Sequence, residues 1–399
     1  MSSLLQLRGK QMPVYNDLRP KKDFEKTDFL QIFPDIDVET KLRAIKGIIR
    51  LKMALGVQIP ARKSEENLLI ASWNIKEFGH TKQRRPEAYL YIAEIISNFD
   101  LVVIQEVKST LKDLYLLKRL LGNDWEYLVS DITSGKDGNS ERSAYVYNTK
   151  RVKLSGIAGE LVLWDEITED SEIKQLKRTP YLTGFRAGWK DFAMLSVHLE
   201  PDKDKKSVAF RQEEVRLLLA ALKRKIKEQW TSRLIIAGDF NFYKSKDGPT
   251  VEMFNNAGFR EIDSLKNLDT NASGSEVFDR MFVNRGSYFQ IVKDAYGEEK
   301  GGVFDPFKLV YREGEETLYR DLIIEDYGGN RDIENDPEVL RSQFQTYWKR
   351  NQISDHLPIW FELNIDDSVS FLDINSKALE EEKLGLKARD AEISEAESV

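Results

Sequence analysis

Five short apolar runs in this 399-residue chain stop at, or start from, polar residues that have no evident structural reason to be there. Leu69–Trp73 runs into Asn74, Leu101–Ile104 into Gln105 and Glu106, Met194–Val197 into His198, and Leu234–Ala237 into Gly238, Asp239, Phe240 and Asn241. The last run, Leu357–Leu363, is preceded by Ser354, Asp355 and His356. Asn, Glu, Asp, Asn and Asp make a hard oxygen-donor set suited to Mg²⁺, Mn²⁺ or Ca²⁺. Two imidazoles beside such a set can relay protons, because an unperturbed histidine titrates near about 6.5. A divalent cation in a carboxylate cup with an acid–base pair is the equipment of phosphoester hydrolysis. The metal neutralises phosphate charge while one imidazole takes a proton from water. Taken singly, Asn74, Asp239 and Asn241 have an ordinary explanation as turn residues. Glu106 has one as an exposed strand end, and His198 as a satisfied core imidazole. Five such endings, using two of the chain's three histidines, argue for a site. The third, His80, lies in a polar turn and takes no role.

Other chemistries have no residues to run on. The absence of cysteine excludes disulfides, thiolate zinc sites, iron–sulfur clusters and cysteine nucleophiles. No Gly-x-Ser-x-Gly elbow occurs, nor a P-loop or dinucleotide-binding glycine pattern. A 41% hydrophobic fraction is ample for a packed core and excludes disorder throughout. No stretch approaches the roughly 18 consecutive apolar residues of a membrane span. The start of the chain, MSSLLQLRGKQMP, has no apolar run of the kind a secretory segment needs, so none is expected there. Stable membrane insertion is therefore not expected, and a cytoplasmic location is. The net charge of −7 leaves no overall basic coat, so nucleic-acid contact requires a local patch.

Positioning these residues requires buried strands whose ends share one rim. Strands are expected at Leu68–Ile75, Leu101–Val107, Ala144–Tyr147, Phe192–Val197, Leu234–Ala237, Met281–Val283 and Leu357–Leu363, and helices at Pro86–Phe99, Thr110–Leu121 and Ser207–Lys227. Continuous runs such as Leu101–Ile104 predict strands covered on both faces, hence layered α/β packing. Residues 1–66 hold 13 Lys and Arg against 9 Asp and Glu. There Leu42, Ile45, Ile49 and Met53 recur at helical spacing among Lys41, Arg43, Lys46, Arg50 and Lys52. The pattern predicts a basic amphipathic helix docked on the protein's own core, with a partner, nucleic acid or a membrane surface as other possible docks. Residues 366–399 hold 4 basic against 10 acidic residues and read as a solvated acidic helix or tail. A protein partner, if there is one, is expected at these two end segments.

The ordered set WNIKEFG (73–79), IQEV (104–107), Arg178-x-Pro180, SVHLEP (196–201), GDFN (238–241), FDRMFV (278–283) and SDHLP (354–358) resembles the endonuclease/exonuclease/phosphatase superfamily. NIKEFG, IQEV followed by Lys108, the Glu141–Arg142 pair and FDRMFV look most like its deoxyribonuclease I branch. The resemblance covers residues 67–365, with an insertion at about 286–352 that includes an expected helix in Pro337–Arg350. It implies a four-layer α/β sandwich, two packed mixed β-sheets flanked by helices, with the site at one rim. It also implies roles. Glu106, Asn74 and Asp355 would hold the metal. His198 and His356 would flank the scissile phosphate, partnered by Glu141 and Asp279 respectively. Asp239 would act as leaving-group acid, metal ligand or both. Asn241 would bind a phosphate oxygen and Arg178 would clamp the phosphate. One departure stands out: Asn139, in the run TSGKDGNS (133–140), occupies a place that is often aromatic in the branch. Either duplex contact is weakened there, or Tyr311, Tyr319 or Trp348 of the insertion supplies the aromatic.

These readings together lead to a divalent-metal-dependent phosphodiesterase using Mg²⁺ or Mn²⁺, with Ca²⁺ as a further option, that cuts DNA as an endonuclease by an activated water. The competing expectations are a phosphatase or phospholipase acting on inositol phosphates or sphingomyelin, and a catalytically silent interaction module.

Overall fold

The computed structural model of the chain describes residues 13–25, 27, 29–79, 84–132, 140–227 and 233–396. The continuous apolar runs become the middles of two six-stranded sheets. The first has the order β11 (Gly301–Val303), β12 (Ile359–Asn364), β1 (Asn67–Phe78), β2 (Leu101–Lys108), β4 (Glu141–Asn148), β3 (Trp125–Val129). The second has the order β5 (Lys153–Glu160), β6 (Tyr181–Ala187), β7 (Lys190–His198), β8 (Leu234–Asp239), β10 (Asp279–Asn284), β9 (Phe259–Glu261).

Both sheets are mixed, and the mixture places the site. β1 runs parallel to β2, and β7 parallel to β8. Each parallel step needs a crossover, supplied by α3 (Pro86–Ile96) and by α6 (Lys205–Lys227). These four strands deliver their last residues to the rim, with Asn74 opposite Gln105 and His198 opposite Asp239. The antiparallel neighbours deliver their first residues to it. Asp279 opens β10 opposite Asp239, Glu141 opens β4 opposite Lys108, and Asp355 and His356 lie just ahead of β12.

Alternate residues of one strand serve different layers. Leu68 and Ile70 of β1 lie between the sheets with Val103, Met194, Ile235 and Phe361. Leu69, Ala71 and Trp73 face the other way, into a core shared with α3 and α4 (Lys112–Leu121). Leu195, Ile236 and Phe282 pack beneath α6 and α7 (Gly248–Asn256) on the far side. Both faces of each sheet are covered, so the strands read as unbroken apolar runs. The four-layer sandwich expected from the motifs is the fold observed.

The end segments extend these layers. After the short α1 (Lys21–Phe24), α2 (Val38–Gln58) lies against α3 and buries Ala44, Ile48, Leu51 and Leu55. Here the sequence reading is corrected. The helix docks on the core, but the stripe of Leu42, Ile49 and Met53 is turned to solvent. The chain before it is tied down by Asp17, whose carboxylate accepts the backbone N–H groups of Ile32 (2.7 Å) and Phe33 (2.6 Å). Past the single-turn α5 (Asp165–Thr168), the stretch expected to be an insertion carries α8 (Arg320–Asp326), α9 (Pro337–Gln343) and α10 (Lys349–Gln352), the last two joined by a π-helical turn at Phe344–Trp348. Tyr311, Tyr319 and Trp348 pack against one another with ring centroids 5.1–5.6 Å apart. All three are buried in the core shared with α2 and α3, so none of them can reach a substrate groove. The acidic end forms α11 (Ser368–Ala396). His80 and Asn139 lie outside the described residues.

Candidate active site

Backbone geometry, rather than strand ends alone, aims the site residues. The registers of β1 on β2 and of β2 on β4 both slip just before the strands finish. At the slip Glu106 has φ +60° and Glu77 has φ +45°, left-handed conformations that non-glycine residues adopt uncommonly. Glu106 thereby leaves the ladder and meets the Glu77 N–H, which donates to its Oε2 (2.9 Å). In GDFN, Gly238 has φ +147°, and a Cβ there would sit 1.9 Å from the Val197 carbonyl oxygen. Only glycine lets β8 approach β7 closely enough to set Asp239 beside His198.

The two histidines converge on one oxygen. His198 Nε2 lies 3.6 Å, and His356 Nε2 3.7 Å, from Asp239 Oδ2. Each ring is held from behind through its other nitrogen. Glu141 Oε2 lies 3.3 Å from His198 Nδ1, and Asp279 Oδ2 lies 2.8 Å from His356 Nδ1. A carboxylate on Nδ1 fixes the tautomer and leaves Nε2 for proton transfer at the centre. Burial opposes charging of His356, but Asp279 and Asp239 outweigh it and hold the imidazole well above its ordinary value. Burial alone would also raise the Glu141 carboxyl. His198, Arg178 and Lys108 outweigh that effect and hold it well below the usual carboxylate range. Asp239 is lowered too, against its burial, by His356, His198 and Asn74.

Around this centre lies a cleft of about 680 Å³ whose lining includes Glu106, Glu141, Arg178, His198, Asp239, Asn241, Asp355 and His356. Arg178 reaches it with its Nε already donated to Glu141 (2.8 Å), so that edge of the guanidinium orients the carboxylate. Asn241, at φ +52°, donates its amide to the Leu199 carbonyl (3.1 Å). Asp355 faces Lys76, 3.7 Å away. Three groups were given no role from the sequence. Lys76 and Lys108 line the cleft as cations among the carboxylates. Ser354 donates to the Asn74 carbonyl (2.7 Å) and accepts the N–H groups of Lys76 and His356 (both 3.1 Å), tying β1 to the Asp-His turn. Their signal was present: Lys76 is the lysine of NIKEFG and Ser354 opens SDHLP.

The donor chemistry fits a hard divalent cation at Asn74 and Glu106. Asn74 donates its Nδ2 to Glu106 Oε1 (2.9 Å) and to Asp239 Oδ2 (3.0 Å). Its Oδ1 is buried with no hydrogen-bond partner, as suits an oxygen that ligates an ion. A second grouping, Asp239, Asp279 and His356, brings ligand-type atoms within 4.8 Å of one another. There the imidazole lies between two carboxylates that favour its protonated form, so these residues suit proton transfer better than ligation.

Comparison with known proteins agrees with the motif set. Residues 71–288 match the model of the Endonuclease/Exonuclease/phosphatase family. Among curated proteins, deoxyribonuclease gamma of Rattus norvegicus is 25% identical over 266 residues, which is 63% of this chain and 80% of that protein. Deoxyribonuclease-1 of Homo sapiens is 28% identical over 145 residues, 34% of this chain and 49% of that protein. The solved structure of an endonuclease/exonuclease/phosphatase family protein from Bacteroides thetaiotaomicron shares 17% identity at a TM-score of 0.47, covering 75% of this chain and 95% of that one.

Proposed function

This chain belongs to the endonuclease/exonuclease/phosphatase family, and on that premise we propose that it is a divalent-metal-dependent phosphodiesterase that cuts DNA internally. The observation that carries the reading is the convergence of two carboxylate-backed imidazoles on Asp239 Oδ2, beside the oxygen donors Asn74 and Glu106. One imidazole accepts a proton from water as it attacks phosphorus. The other, its protonated form favoured by the Asp239 carboxylate, delivers a proton to the departing oxygen. His356, between two carboxylates, is suited to hold the proton that is delivered. Asn241, Arg178 and the lysines of the cleft face the phosphate oxygens. A bound Mg²⁺ or Mn²⁺ held by Glu106 and Asn74, with Asp355 at the edge of the cleft, supplies Lewis-acid neutralisation of phosphate charge. The resemblance to deoxyribonuclease gamma and deoxyribonuclease-1 supports DNA as the substrate.

The test is one panel of substrates. Purified protein is given supercoiled plasmid, single-stranded DNA, RNA, sphingomyelin and inositol phosphates, each with Mg²⁺, Mn²⁺, Ca²⁺ or excess chelator. Nicking and linearisation of plasmid with Mg²⁺ or Mn²⁺, abolished by chelator, is the expected result. Release of phosphate or headgroup with the plasmid left intact would replace nuclease by phosphatase or phospholipase. Full activity in chelator would remove the metal from the reading.

A further inference from the structure

Glu106 is held at both of its oxygens, and one holder is a single backbone peptide. Asn74 Nδ2 donates to Oε1, and the N–H of the Lys76–Glu77 peptide donates to Oε2, both at 2.9 Å. That peptide lies in the slip between β1 and β2, where residues 75–77 leave the ladder. Its orientation sets φ of Glu77 at +45°, on the left-handed side that a residue with a Cβ uncommonly takes. Turning the peptide over would restore an ordinary φ and point its N–H away from Glu106. A further contact has to oppose that turn.

Arg84 makes that contact. Its side chain is fully buried, and its Nη2 donates to the carbonyl of the same peptide, that of Lys76, at 2.8 Å. Nη1 donates to Asp113 Oδ2 (2.8 Å) and Nε to the Gln352 carbonyl (3.1 Å), while the Ile353 carbonyl lies 3.5 Å from Nη2. Asp113 is itself fixed by the Tyr89 hydroxyl at 2.7 Å, and the Phe78 ring centroid lies 5.4 Å from the guanidinium. Acceptors on three sides suit a rigid planar fork of donors and not the point charge of an ammonium. A charged donor on the carbonyl also polarises the peptide, which strengthens the bond that its N–H gives to Glu106.

The acceptors at Gln352 and Ile353 tie this device to the stretch expected to be an insertion. Gln352 ends α10, and its side-chain Oε1 accepts the Arg85 N–H at 2.8 Å. Ile353 leads directly into Ser354, whose Oγ accepts the Lys76 N–H. The backbone of Lys76 is thus gripped at both ends, its N–H by Ser354 and its carbonyl by Arg84. Both grips are anchored on the short segment just ahead of Asp355 and His356. Arg84 itself is not among the residues that line the cleft.

We propose that Arg84 is a positioning residue for the metal site, locking the Lys76–Glu77 peptide in the orientation that aims Glu106 and doing so from the end of the 286–352 stretch. The proposal rests on the assignment of Glu106 to the metal made above. It gives that stretch a task at the rim without any of its side chains reaching substrate.

Binding of Mn²⁺ to the full chain without substrate tests this, read by electron paramagnetic resonance of the unbound ion, with melting curves by circular dichroism to establish folding. Arg84→Lys keeps a cation against Asp113, and its dissociation constant for Mn²⁺ should rise about 10-fold, the scale for groups that orient a metal ligand. Glycine takes a positive φ without steric cost, so the same substitution made in a Glu77→Gly background should weaken binding clearly less. Should Arg84→Lys not fold, Arg84→Gln with Asp113→Asn, which strands no buried charge, takes its place in both backgrounds. Unchanged Mn²⁺ affinity in the folded Arg84 variant overturns the proposal. So does an equal loss in the two backgrounds, which would mean that Arg84 acts otherwise than through this peptide. Glu106→Gln separates the proposal from its premise. If that variant binds Mn²⁺ as tightly as the wild type, the metal assignment falls and the proposal with it. If Glu106→Gln weakens binding and the Arg84 variant does not, the proposal alone falls.

Discussion

Asp239 Oδ2 is the point on which the site turns, and single substitutions around it should separate binding from chemistry. The two imidazoles both approach it through Nε2, each braced by its own carboxylate. Replacing His198 or His356 with Ala should therefore lower kcat by at least about 10²-fold, the scale of a lost general acid or base. KM should change little, because the cations that face phosphate remain. Steady-state kinetics on plasmid decides this, and near-wild-type kcat in both variants would be incompatible with proton transfer by these rings. Glu106→Gln removes one anionic oxygen from a hard-cation site, so the Mg²⁺ concentration for half-maximal activity should rise, while saturating Mg²⁺ recovers part of the rate. A metal titration with unchanged midpoint would take Glu106 out of the ligand set. Much of this site was legible from residue types, because hard oxygens and imidazoles at strand ends leave little other chemistry. What residue types could not show was who holds whom. Arg178, read as a phosphate clamp, also donates its Nε to Glu141. Such pairings are set by distances across two sheets and leave no local trace.

Strands covered on both faces were readable, and partly covered strands and a helix with two apolar sides were not. β1, β2, β7 and β8 were recognised because strands buried on both faces leave unbroken apolar runs. β3 and β5 were missed, since their burial is partial and β5 alternates exposed with half-buried positions. α2 was found as a helix, but its orientation was inverted. Both Leu42–Ile49–Met53 and Ile48–Leu51–Leu55 recur at helical spacing, and periodicity alone cannot say which stripe meets the core. The aromatics of the insertion were free to be read as substrate contacts until the fold buried them against α2. A pair of substitutions on this one helix makes the corrected orientation testable. Leu51 is fully buried, so Leu51→Ala should cost about 2–5 kcal/mol of folding stability through lost burial and a residual cavity. Val57 is 88% exposed, so Val57→Ala should stay within about 0.5 kcal/mol of wild type. Urea denaturation of both variants checks the contrast. A larger loss from Val57→Ala than from Leu51→Ala would mean the helix is turned the other way. The Leu51 result also bears on truncation. Residues 38–58 share the core of α3, so a chain cut before β1 would expose that core and should aggregate.

For the molecule as a whole, burial of two carboxyls outside the cleft contributes to how stability depends on pH. Glu87 sits at the start of α3, its Oε2 3.5 Å from Arg43 Nε and its Oε1 3.4 Å from the Tyr311 hydroxyl, so it joins α2, α3 and the insertion. Glu214, on the buried face of α6, accepts the Glu200 N–H at 2.9 Å, just past His198. Burial pushes each up to about 7 from an ordinary 4.5, against the opposing pull of Arg43 on Glu87 and of the Glu200 N–H on Glu214. Below 4.5 both groups are protonated whether the chain is folded or not, and their contribution is fully present. Between 4.5 and 7 the folded chain keeps protons that the unfolded chain has released, so stability falls as pH rises. Above 7 the loss is complete. A rise of this size corresponds to a cost on the order of 3 kcal/mol for each group. Glu141 and Asp239 slope the other way. Their carboxyls are held low, so the stability they add is present at neutral pH and is lost as pH falls below about 4. The chain should therefore be most stable on the acid side of neutrality, with a melting temperature that declines from about pH 5 to pH 8. Glu87→Gln with Glu214→Gln keeps the shape and removes both titrations, so the decline should flatten by several degrees over that range. Thermal melts in chelator, which keeps metal binding at the rim out of the comparison, read this directly. A double variant whose melting temperature falls as steeply as that of the wild type would show that neither carboxyl changes protonation on unfolding.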